Sequence, residues 1–147
     1  MITVETLRLW SERICGIAHG GRDVGARLFD ITGPLAHDRD ASSVTQLPPG
    51  VAAMRFYDDM ETRSELVFVD VELAPPGITM ASLVATFGEP RVMPRIHWDS
   101  PHQVIFHVTP ASQPSSCDVI VKFDESPEDT SATRLVTLRR NYLFGRS

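Results

Sequence analysis

The sequence predicts an α+β fold, an antiparallel sheet of about five strands with two or three helices packed on one face. Three observations predict it. Apolar residues recur every three or four positions in three segments, and they alternate with other residues in five more. The segments between the alternating runs are short and polar, which suits hairpin connections and therefore antiparallel pairing.

The first helix opens the chain. Thr3 can cap it, and Val4, Leu7, Trp10, Ile14 and Ile17 fall on one stripe. Gly20-Gly21 ends it, because two glycines make helix continuation costly. A second, shorter helix is expected in "DVGARLFDI", with Val24, Leu28 and Ile31 on one face and Gly33-Pro34 as its stop. Ala36 to Gly50 is polar and ends in "LPPG", so it reads as a loop.

Strand patterning follows. In "VAAMRFYDD", Met54 and Phe56 alternate with Arg55 and Tyr57. In "SELVFVDVEL", Val67, Val69, Val71 and Leu73 share one face, with Leu66, Phe68, Asp70 and Glu72 on the other. "DMETR" between them makes a hairpin. The third helix, "TMASLVATF", is capped by Thr79, turns Met80, Leu83, Val84 and Phe87 inward, and stops at Gly88. Three more strands close the chain. "HQVIFHV" buries Val104, Phe106 and Val108; "CDVIVKFD" buries Val119, Val121 and Phe123; "TRLVTLRR" buries Val136 and Leu138. Their separators, rich in Pro, Ser and acid, suit exposed loops.

The chain of 147 residues reads as one domain, residues 1–147. With 42% hydrophobic and 22% charged residues it has the composition of a globular protein. A formal charge of −5 argues against a nucleic-acid binder, which needs a positive footprint. No apolar run reaches the ~20 residues of a membrane span. Cys15 and Cys117 lie far apart without metal or redox spacing, and they read as buried free thiols in a reducing cytosol. The first fifteen residues lack a basic segment followed by an apolar core, so a cytoplasmic location is expected.

The most chemical stretch is "PRIHWDSPH". His97, Asp99 and His102 offer three ligand types, but the prolines impose extended backbone and no helical His pair supports a metal centre. The expectation is no metal and no cofactor. No nucleophile motif is present, and the glycines near the first helix do not follow a strand. The face away from the predicted core is unusually apolar for a solvated one: Arg55, Tyr57, Leu66, Phe68, Ile105, His107, Ile120, Lys122, Leu135, Thr137 and Arg139. Covering helices, a ligand cavity or a partner protein could account for it. Trp98, Tyr57, Phe68, Ile105 and His107 are the candidate partner-binding residues, because aromatic side chains dominate interface energetics.

An internal echo is also visible. "ARLFDITGP" and "LVATFGEP" each place an apolar helix, a Gly and a Pro before a loop and paired strands, which suggests a tandem α/β repeat. The second unit, a helix ending in "FGEP", a loop with Trp98 and a three-strand meander over about residues 78–140, resembles the α/β unit of the beta-lactamase inhibitor protein and small outer-membrane lipoprotein group. The resemblance implies a helix pair against a curved antiparallel sheet and a role in binding proteins. Those proteins are exported, and this sequence shows neither signal nor lipobox.

The expected function is a non-enzymatic protein-binding or inhibitor domain, such as an immunity protein neutralising a bacterial toxin. The acidic segments Asp58–Thr62 and Asp124–Asp129 would steer a basic partner. One alternative is a small hydrophobic-ligand binder or isomerase similar to the nuclear transport factor 2-like group, with His107, Asp70 and Tyr57 in its pocket. Another is a secretion-chaperone-like dimer, which would normally end in a helix; this chain ends in the strand-like "TRLVTLRRNYLF".

Overall fold

A computed structural model describes residues 2–15, 29, 31, 33–37, 41–58, 66–94, 101–108 and 117–140. The element order is α1 (Val4–Cys15), β1 (Leu35–His37), β2 (Ser42–Val44), β3 (Val51–Asp58), β4 (Leu66–Leu73), β5 (Ile78–Thr79), α2 (Met80–Phe87), β6 (Arg91–Val92), β7 (His102–Val108), β8 (Cys117–Phe123), β9 (Ala132–Thr133) and β10 (Leu135–Arg140). Eight strands form one antiparallel sheet in the order β1-β2-β3-β4-β10-β8-β7-β6, and β5 pairs with β9 in a second, two-stranded sheet.

This overturns the expected balance of about five strands with two or three helices. The protein is mostly sheet, with two short helices among the described residues. The second expected helix, in 23–31, lies largely outside them. Four of the eight strands, β1 to β4, come from the first half of the chain and four, β6, β7, β8 and β10, from the second, and the two sets join where β4 pairs with β10. The extra strands escaped the pattern for a physical reason. β1, β2, β5, β6 and β9 are two or three residues long, too short for an alternation to register. β1 and β2 occupy what reads as a polar loop, held by backbone pairing of Ala36 with Ser43 and His37 with Ser42. There the His37 Nδ1 lies 2.7 Å from the Ser42 hydroxyl.

The long strands follow their alternation closely. Two buried ladders cross the inner face. One runs Met54, Val71, Val136, Val121 and Val104; the other runs Phe56, Val69, Leu138, Val119 and Phe106. Each such side chain contributes about 1.5–3 kcal/mol relative to an exposed position, so these ladders are the main source of the fold's stability.

Both helices pack on this inner face. Leu7, Trp10, Ile14 and Cys15 of α1 are buried, and α1 rests on β8, β10 and α2. Trp10 meets Phe29 edge to face at 5.3 Å, and Phe29 meets Phe56 at 5.7 Å. In α2, Leu83 is fully buried, while Met80, Val84 and Phe87 are partly buried against the core, with Phe87 5.7 Å from Phe106. The start of α2 is well satisfied. Ser82 N–H donates to the Thr79 hydroxyl at 3.2 Å, and the Met80 and Ala81 amides donate to the Ser131 and Asp129 carbonyls. Gly88, with φ of 90°, takes the left-handed turn that ends the helix.

Cys15 and Cys117 form a disulfide, with Cα atoms 5.6 Å apart. This corrects the expectation of two free thiols. Each cysteine lies on the core face of its element, so packing α1 on β8 brings them together. Among the described residues no helix is long and apolar enough to cross a membrane.

Candidate functional site

With both helices on the inner face, the outer face of β3, β4, β10, β8 and β7 carries the side chains that alternation turns away from the core. Strand register arranges them in three rows. The first is Ala53, Glu72, Leu135, Lys122 and Gln103; the second is Arg55, Asp70, Thr137, Ile120 and Ile105; the third is Tyr57, Phe68, Arg139, Asp118 and His107.

The third row holds most of the candidate residues. Tyr57 and Phe68 stack with ring centroids 4.3 Å apart and planes 16° apart. Arg139 stands next to Phe68 in register and donates from Nη2 to Asp118 Oδ2 at 2.6 Å. On the far side, His107 Nδ1 approaches Asp118 Oδ1 to 2.6 Å. That contact lacks hydrogen-bond alignment, so Oδ1 is a buried acceptor without a hydrogen-bond partner among the described residues. The Asp118 side chain is only 2% exposed, whereas those of Arg139 and His107 are 40% and 54% exposed. A carboxylate so far out of water is tolerated because two nitrogen groups flank it.

The second row is tied through its hydroxyl. Thr137 Oγ1 donates to Asp70 Oδ1 at 2.5 Å. Beside it, Ile120 and Ile105 are 8% and 2% exposed. Ile105 therefore lies beneath the face and is corrected as a surface contact residue.

The first row is different in kind. Among the described residues Glu72 and Lys122 make no ion pair or side-chain hydrogen bond, and neither does Arg55 in the row beside them. These three charges rim a groove of about 290 Å³ lined by Ala53, Met54, Arg55, Tyr57, Asp70, Val71, Glu72, Lys122, Leu135, Val136 and Thr137. A second depression of about 250 Å³ shares Asp70, Lys122 and Thr137 with it and reaches Phe68 and Arg139. The face is thus one furrowed surface.

The structure brings Tyr57, Phe68 and His107 into a single row, as placed by alternation. Trp98, His97 and Asp99 lie outside the described residues. His102 is half-buried at the start of β7, and among the described residues no three His, Cys, Asp or Glu side chains converge as metal ligands. Sequence reasoning missed Asp118. The signal was available: in "CDVIVKF" it is the one carboxylate, on the face opposite Cys117, Val119 and Val121. Comparison of the chain with known proteins finds no matching family model, curated relative or solved structure.

Proposed function

We propose that the chain is a non-enzymatic protein-binding domain whose outer sheet face is the recognition surface. The observation that carries this reading is the adjacency of Tyr57, Phe68 and Arg139 on neighbouring strands. Tyr and Arg are enriched among residues that dominate binding energy, and a ring stack beside a guanidinium offers apolar area and directed donors together. The stack also lowers the entropy lost on binding, because its rings are already held.

The charge pattern supports a composite partner. The centre of the face balances Arg55, Lys122 and Arg139 against Asp70, Glu72 and Asp118, so it favours a surface of mixed sign. At its margin, Asp124, Glu125, Glu128 and Asp129 are exposed and would draw a basic region of that partner. The Cys15–Cys117 disulfide favours an oxidising compartment over the cytosol.

The test is capture of a partner from the native host, followed by affinity measurement with the purified pair. Phe68→Ala and Arg139→Ala are expected to weaken binding at least about tenfold. Leu9→Ala, on the exposed side of α1, should leave it unchanged. Equal affinities for Phe68→Ala and the unmodified protein, both shown to be folded by thermal melting, would overturn the reading.

A further inference from the structure

We propose that the groove over Leu135 binds a free α-amino acid with an apolar side chain. The inference rests on the same outer face as the protein-binding reading, but not on a protein partner. It starts from three charges that have no ion pair or side-chain hydrogen bond among the described residues. Glu72 and Lys122 flank Leu135 in one row, and Arg55 stands across the groove on β3. Strands lie about 4.8 Å apart, so Glu72 and Lys122 leave the sheet roughly 10 Å from one another with an apolar floor between them.

A ligand that satisfies this arrangement carries both signs within a few bonds. An α-ammonium group is matched by Glu72 and by Asp70, whose Oδ1 accepts from Thr137 and whose other oxygen makes no hydrogen bond among the described residues. An α-carboxylate is matched by Lys122 on one side of Asp70 and Glu72, or by Arg55 on the other. A ligand with a single charge would leave one sign unanswered. The remaining space is apolar. Leu135 and Ala53 form the floor and the half-buried Tyr57 lines the side, so an aliphatic or aromatic side chain is favoured over a polar one. A volume of about 290 Å³ is at the small end for ligand sites, which suits one amino acid. The second depression continues past Thr137, so a longer peptide is the main competing occupant.

Titration of the ¹⁵N-labelled full chain with L-phenylalanine tests the proposal, read as saturable shifts of amides in β3, β4, β8 and β10. N-acetyl-L-phenylalanine lacks the ammonium charge, and L-phenylalanine amide lacks the carboxylate. Each is expected to bind at least about tenfold more weakly than L-phenylalanine. Glu72→Gln and Lys122→Met should each reduce L-phenylalanine affinity by a similar factor, with melting temperature confirming that both variants fold. Absence of saturable shifts up to about 10 mM would overturn the proposal, since weaker binding carries no specificity. So would equal binding of the three ligands, or tighter binding of a phenylalanine-containing dipeptide. None of these outcomes bears on partner capture by Phe68, so the two readings fail separately.

Discussion

Cys15, the last residue of α1, is bonded to Cys117, the first residue of β8, across 102 residues of chain. The link closes a loop that holds six of the sheet's eight described strands, with β8 and β10 following it, and it joins two residues that are each about 1% exposed or less. Cross-linking so long a loop removes conformational freedom from the unfolded chain, by an amount worth about 4.7 kcal/mol in the loop-entropy picture.

Thiol titration in denaturant is therefore expected to give no reactive groups before reduction and two after it. Urea unfolding of the Cys15→Ala/Cys117→Ala double variant should show a loss of about 4.7 kcal/mol. Two free thiols in unreduced protein would return the chain to a reducing compartment.

The Asp118–Arg139 pair gives a second test. Removing Arg139 leaves a buried carboxylate with, among the described residues, His107 as its one remaining charged neighbour. Breaking a buried pair typically costs about 3–5 kcal/mol, and the partial exposure of Arg139 lowers the expectation to about 2–3 kcal/mol. Adding Asp118→Asn to Arg139→Ala should restore part of the loss, because the uncompensated charge is then gone. Strict additivity of the two single changes would show that the pair is not coupled.

The inner face was legible because its ladders are made of strictly alternating Val, Leu, Phe and Met in strands of six to eight residues. The helix from Met80 to Phe87 was legible for a similar reason, since Thr79 and Gly88 mark its ends chemically. The short strands were not, because Leu35–His37 and Arg91–Val92 are fixed by neighbours rather than by their own pattern. The disulfide was half legible. Cys15 follows the apolar stripe of α1 and Cys117 shares a face with Val119 and Val121, so both belonged to one core once α1 was set on the sheet. In the site, alternation placed Tyr57, Phe68 and His107 on one face, but it carries no information on depth. That is why Ile105 reads as a surface residue in the sequence and Asp118 does not stand out as a buried one.

Packing of α2 provides a graded prediction. Leu83 is fully buried, whereas Phe87 keeps part of its surface. Leu83→Ala should cost about 2–5 kcal/mol, and Phe87→Ala less than the about 3–5 kcal/mol of a fully buried aromatic. Thr79→Ala removes the hydroxyl that accepts from Ser82 N–H, at about 1 kcal/mol. Chemical denaturation ranks the three; a Phe87→Ala loss above that of Leu83→Ala would mean that α2 docks by its C-terminal end.

The sharpest separation of core from the proposed recognition surface is between Ile105 and Phe68. Both lie on the outer face by alternation, yet Ile105 is 2% exposed while Phe68 is only half-buried. Truncating Ile105 empties a closed space, so Ile105→Ala should cost about 2–5 kcal/mol in stability. Truncating Phe68 removes a ring stacked on Tyr57, a pair worth about 0.5–1.5 kcal/mol beyond the area it covers, and leaves a gap that water can enter. Phe68→Ala is therefore expected to lower stability by far less than Ile105→Ala. Partner affinity should respond in the opposite order, with Phe68→Ala weakening it and Ile105→Ala sparing it in the fraction that remains folded. Parallel urea unfolding and binding measurements on the two variants read both quantities. If Phe68→Ala instead unfolds the protein and spares affinity, the Tyr57–Phe68 stack belongs to a second core, and recognition must be sought away from the third row.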